Sequence, residues 1–139
     1  ILNSKDDISV AVDLDWKESY KERTDNPIEL AGKILLDDQK IIQLSEKLPI
    51  KKKDFSIGEF LGIIKLTSNG SKILREYLKK LKYHSGRFHD ADSFKMAKLT
   101  DLLQHLVESS VKIKPVFVKG KWCEIDTPID LERAKRLFQ

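Results

Sequence analysis

Asp126 occupies a hinge in the sequence. The run Trp122-Cys123-Glu124-Ile125 before it reads as the end of a strand, and Thr127-Pro128 after it opens a helix. An acid there can simply be a solvated residue favoured by the positive end of the helix. It can also ligate a hard divalent cation at the rim of a nucleotide site. Mg²⁺ takes one or two protein carboxylates together with substrate phosphates, and an ion so held neutralises charge that builds up in phosphoryl-type transfer. Three more acids stand at comparable places: Asp13 and Asp15 after a strand-like run, and Glu59 inside a run flanked by Gly58 and Gly62. In open α/β sheets, ligands collect beyond the carboxyl ends of strands.

The elements that would position these acids follow from periodicity. Residues 8–13 (ISVAVD) alternate, with β-branched Ile8, Val10 and Val12, and read as a strand. Residues 17–27 are polar and close on Asn26-Pro27, a turn signal. Residues 33–48 read as two short strands around Asp37-Asp38-Gln39, a hairpin. Residues 55–67 read as a buried strand whose two glycines mark a bulge or a close backbone approach. Two amphipathic helices follow. One carries Ile73, Leu74, Tyr77, Leu78 and Leu81; the other carries Leu99, Leu102, Leu103, Leu106 and Val107. Residues 112–120 and 122–125 read as strands. Thr127, Pro128 and Asp130 then supply the start signals of a last helix. Strands mixed with helices in this order predict an α/β layer fold with helices covering a sheet.

Composition narrows the classes. The 139 residues suffice for one domain, with 40% hydrophobic and 35% charged residues and a net charge of +4. Lys51-Lys52-Lys53 form a basic run without interleaved aromatics, and no zinc-finger or RNA-binding signature occurs, so nucleic acid is not an expected partner. The single cysteine, Cys123, excludes an internal disulfide and fits a reducing compartment; it reads as a small buried filler. With no apolar run of membrane-spanning length and no leader-like start, a cytoplasmic protein without membrane contact is expected. His84 and His89 on a polar loop and His105 beside an apolar stripe complete no metal set and read as structural. The start, ILNSKDD, has neither methionine nor capping signal, so a preceding segment is expected.

Four stretches carry a resemblance. VDLDWKESYKERTDNPIE (12–29), GEFLGIIKLTSNG (58–70), AKLTDLLQHL (97–106) and GKWCEIDTPIDLERAK (120–135) span nearly the whole chain. In order and spacing they resemble the C-terminal half of a bacterial sugar-type nucleotidyltransferase. The branch resembled includes choline-phosphate and phosphonate cytidylyltransferases.

The resemblance implies a Rossmann-like three-layer α/β sandwich with a mixed, mainly parallel sheet. It also implies a reaction in which a phosphate or phosphonate oxygen of a small acceptor attacks the α-phosphate of a nucleoside triphosphate. Pyrophosphate leaves, Mg²⁺ is required, and CMP is the group transferred in this branch. Asp126 takes the place of a metal-binding aspartate. Glu59 and Lys65 fall near the acceptor, with Lys65 contacting its phosphate or phosphonate as the catalytic residue. Asp13, Asp15 and Trp16 fall there too, and Trp16, Tyr20 and Trp122 are aromatics that could face a cationic head. Arg23 either holds a phosphate or pairs with a neighbouring acid.

The sequence also departs from the family. Its six glycines are scattered, and the glycine-rich loop that would cradle a triphosphate is not among these residues, nor is the first metal-binding aspartate. The chain is therefore expected to lack the N-terminal nucleotide-binding half and to be inactive by itself. A second copy would cover the sheet edge left open. The alternative is a non-catalytic module of the same fold that binds a small ligand or a protein.

Overall fold

The computed structural model describes all residues except 22, 24–26, 120 and 121. A five-stranded sheet runs in the order β3-β2-β4-β1-β5. The strands are β1 (Ile8–Asp13), β2 (Lys33–Asp37), β3 (Lys40–Ser45), β4 (Ser56–Leu66) and β5 (Lys114–Val118). Helices α1 (Ser68–Leu81), α2 (Leu99–Glu108) and α3 (Pro128–Leu137) complete the fold, with short 3₁₀ turns at Trp16–Tyr20, Ile28–Leu30 and Phe94–Met96. None of these helices is long and apolar enough to cross a membrane.

The mixed α/β character is as expected, but the expectation of a mainly parallel sheet is corrected. Only β1 and β5 pair in parallel; β1–β4, β2–β3 and β2–β4 are antiparallel. The reason lies in the connections. The β2–β3 turn is too short for anything but a hairpin, with Asp38 at φ 53°. β4 is inserted between β2 and β1 and runs against both, while β5, which follows α1 and α2, lies on the other side of β1 and runs with it.

Every residue of β1 is buried, and the next strand but one in the sheet, β2, divides its side chains between two cores, Ile34 and Leu36 to one and Leu35 to the other. Ile8, Val10 and Val12 join Ile34, Leu36, Leu103 and Leu106 in the larger core beneath α2. A second core gathers Trp16, Ala31, Leu35, Leu48 and Ile57. The alternation read in the sequence is thus the alternation of side chains across the pleat.

Both glycines of β4 do what the strand reading allowed. A Cβ on Gly58 would stand 2.5 Å from Val12 Cγ1 and 3.0 Å from the Asp13 carbonyl, so Gly58 marks a close approach to the end of β1. Gly62, at φ +71°, lies in a bulge: the register passes from Val10↔Ile64 to Val12↔Phe60, leaving residues 61–63 opposite Ala11.

Two sequence expectations change. Residues 122–125 form no strand; their side chains are taken up by contacts with the turn after β1 and with α3 rather than by a ladder. The second helix starts at Leu99, the first residue of its apolar stripe, leaving residues 92–98 of the polar approach outside it, and the Asp101 carboxylate caps the Lys98 amide at 2.8 Å. Helix α3 begins as read: Thr127 accepts from the Asp130 amide and Asp130 returns the contact, with Pro128 in the first turn. The turn expected at Asn26-Pro27 lies in part outside the described residues.

Candidate active site

The carboxyl ends of the one parallel pair, Asp13 of β1 beside Val118 of β5, lie at the same sheet edge. Across from Asp13 in β4 stands Glu59, and both acids are buried. Asp13 divides its carboxylate. Oδ1 accepts the Asp15 amide at 2.8 Å, which starts the 3₁₀ turn, and Oδ2 accepts the indole N–H of Trp122 at 2.7 Å. The turn then faces two aromatics inward. Trp16 is fully buried, its indole N–H donated to the Ile57 carbonyl at 3.0 Å. Tyr20 packs edge-on against it and donates its hydroxyl to Glu59 Oε1.

Glu59 is the acid most altered by its surroundings. Burial pushes its carboxyl up to about 7; the hydrogen bond from Tyr20 opposes this, Glu124 reinforces it, and Arg23 opposes it again. Its second oxygen, Oε2, is buried without a hydrogen-bond partner among the described residues. Burial, and then the carboxyl of Glu59, hold the Tyr20 phenol well above its ordinary range.

Arg23 lies beside these groups, its guanidinium 5.2 Å from the Tyr20 ring and its side chain only 4% exposed. It meets Asp130 (Nε to Oδ1, 3.0 Å), Asp126 (2.9 Å) and Glu124 (3.5 Å). Although burial opposes it, Asp130 stays below the usual carboxylate range, held down by the Thr127 hydroxyl, the backbone N–H of Asp126, and Arg23. Arg133 of α3 reaches the other way, to the backbone carbonyl of Ser19.

These contacts enclose a cleft of about 580 Å³ whose wall includes Tyr20, Arg23, Glu59, Trp122, Glu124 and Asp126, with the β4 bulge at its rim. A neighbouring cleft of about 520 Å³ includes Asp13, Asp15, Lys21, Lys119, Arg133 and, again, Trp122. Two walls made of carboxylates, guanidinium and aromatic rings suit a small polar ligand with charged groups.

The fold brings together Asp13, Arg23, Glu59, Trp122 and Asp126 as expected from the sequence, with Asp15 facing the adjoining cleft. It does not do so for two others. Trp16, expected against the acceptor, is core: its ring has no exposed surface and its only polar atom is engaged. Lys65, expected on the acceptor phosphate, pairs with Ser9 at the far end of the β1–β4 ladder and donates to the Ser4 carbonyl at 2.5 Å. Six positions separate it from Glu59 along β4, on the order of 15–20 Å at strand rise. Glu124, Asp130 and Arg133 were not foreseen; an acid and an arginine three apart in LERAK's helix, next to a capping signal, were the available hint.

The three histidines pack around the buried ring of Phe88, away from this cleft, in keeping with a structural reading. Among the described residues, no three His, Cys, Asp or Glu side chains are grouped so as to hold a metal ion.

No family model matches the chain. The CTP:phosphoglutamine cytidylyltransferase of Campylobacter jejuni subsp. jejuni is 27% identical over 132 residues, covering 95% of this chain and 51% of that protein. A Bacillus anthracis crystal structure assigned as a glucose-1-phosphate thymidylyltransferase, in complex with sucrose, superposes with a TM-score of 0.60 at 22% identity. That match covers 98% of this chain and 45% of the other. The chain thus spans about half the length of each relative. In sequence it is similar to a cytidylyltransferase and in fold to a sugar-phosphate nucleotidyltransferase, over nearly its full extent and about half of theirs.

Proposed function

We propose that this chain forms the acceptor-side half of a Mg²⁺-dependent nucleotidyltransferase. In this reading an oxygen of a small phosphorylated or phosphonylated acceptor attacks the α-phosphorus of a nucleoside triphosphate, CTP by the relative's example, and the bond to pyrophosphate breaks. The observation that supports it best is the meeting of Glu59 from β4 and Asp126 from the start of α3 on one cleft. That cleft lies at the carboxyl ends of the parallel strands, where α/β folds bind ligands.

The donor set fits a divalent ion in part. Glu124 and Asp126 are half-exposed carboxylates beside the cleft, and oxygen ligands of this kind suit Mg²⁺, which completes its shell with phosphate oxygens and water. Asp126 would supply the protein ligand; the ion would neutralise charge on the phosphates. The chain's own residues do the remaining work. Tyr20 and Glu59 form the floor, Trp122 the wall, and Arg23 keeps the acids of the α3 start in place.

The test is CTP- and Mg²⁺-dependent pyrophosphate release by the protein that carries these residues, over a panel of phosphorylated and phosphonylated acceptors. Asp126→Ala is expected to lower kcat by about 100-fold or more, the scale of losing one preorganised electrostatic group. Near-normal turnover would end the assignment. A second reading, a non-catalytic ligand-binding module, is favoured by the guanidinium already seated on Asp126. It predicts acceptor binding by calorimetry with no pyrophosphate release under any condition.

A further inference from the structure

Two arginines cross between the same two segments in opposite directions. Arg23, after the 3₁₀ turn, reaches Asp126 and Asp130 at the start of α3, while Arg133 of α3 returns to the Ser19 carbonyl. Three carboxylates share the one guanidinium, Glu124 and Asp126 from the segment before α3 and Asp130 from its first turn. Carboxylates on one segment repel one another unless a cation stands between them. The planar fork of arginine can meet several oxygens at once, which an ammonium does less well.

We infer that Arg23 is a positioning residue. It holds residues 122–130, and Asp126 with them, against the turn after β1, and does not itself bind the acceptor phosphate. Its catalytic consequence rests on the nucleotidyltransferase reading; the clamp itself stands on the geometry. Cys123 provides an independent reporter. Its thiol lies in the clamped segment, 3.9 Å from the Asp130 carbonyl and 3.8 Å from the Arg133 guanidinium. It is the sole cysteine of the chain.

The experiment compares Arg23→Gln and Arg23→Lys in the protein that carries these residues. Alkylation of Cys123 by iodoacetamide is followed by mass spectrometry, and pyrophosphate release by steady-state kinetics. Arg23→Gln is expected to speed alkylation by about 5-fold or more as the segment opens locally. It should also lower kcat and raise the Mg²⁺ concentration giving half-maximal rate, with acceptor KM held within about 2-fold. Arg23→Lys should fall between. Unchanged alkylation in both variants overturns the clamp. So does a raised acceptor KM with kcat and Mg²⁺ demand unchanged, which would make Arg23 a phosphate ligand. If the unaltered protein releases no pyrophosphate, the functional reading fails while alkylation still decides the clamp. If Arg23→Gln does not fold, Asp130→Asn removes the anchor's charge at constant size and must speed alkylation in the same direction; no change there overturns the inference.

Discussion

The Tyr20 hydroxyl donates to one oxygen of the Glu59 carboxyl, and the other oxygen is buried without a hydrogen-bond partner among the described residues. One oxygen of this acid is satisfied by a residue 39 positions earlier, and the other is shut away from solvent beside a cleft that Glu59 lines. That asymmetry is what an acid waiting for a ligand, or for a proton, looks like.

Stability should follow that proton. An ordinary glutamate releases it near 4.5, whereas Glu59 in the folded chain keeps it up to about 7. Between those values the native state holds a proton that the unfolded chain has lost, so stability falls as pH rises through this window and is level above it. The difference corresponds to about 3 kcal/mol at most. Glu59→Gln, neutral throughout and still able to accept from Tyr20, should match the parent near pH 4 and exceed it at pH 8. Urea denaturation at the two pH values checks this. An equal effect at both would show that the carboxyl's proton has no part in it.

Trp16 should matter to folding and not to ligand choice. Trp16→Phe keeps the aromatic packing but leaves the Ile57 carbonyl without its donor. The cost of an unsatisfied buried group is about 1–3 kcal/mol. Denaturant midpoints should drop while acceptor KM stays the same; a raised KM at unaltered stability would return Trp16 to the ligand shell.

Lys65 gives the reverse test of the same point. Its ammonium ties the chain's start to β4 through the Ser4 carbonyl, far from Glu59. Lys65→Ala should cost about 1 kcal/mol of stability and leave the dependence of rate on acceptor concentration as it was. A several-fold loss of acceptor affinity would show that Lys65 reaches the site after all.

What could be read ahead of the structure was local. Alternation in residues 8–13, the Asp38-Gln39 turn, the glycines of β4 and the Thr127-Asp130 cap each state a backbone requirement within a few positions, and each is met. Strand direction was not local. It depends on which strands come to lie side by side, and with β4 inserted between β2 and β1 the parallel sheet carried over from the resemblance gave way to a mostly antiparallel one. The site was legible in its acids but not in their bonding. Asp13 and Asp126 stood out by their places at a strand end and a helix start and Glu59 by its glycine-flanked strand, and the fold sets them around two adjoining clefts. Whether Arg23 met a phosphate or a carboxylate depended on α3 folding back over a hundred residues later. Lysine and tryptophan misled for a related reason: either type suits a ligand and a scaffold equally, and only burial separates the two uses for Trp16.

The bulge in β4 carries one more implication. Residues 61–63 stand opposite a single residue of β1, and the ladder is in register again on both sides of them. Lengthening or trimming this overhang would resize the opening above Glu59 while the sheet beneath stayed in step. Here is a dial by which descendants of one scaffold can admit larger or smaller guests without being rebuilt.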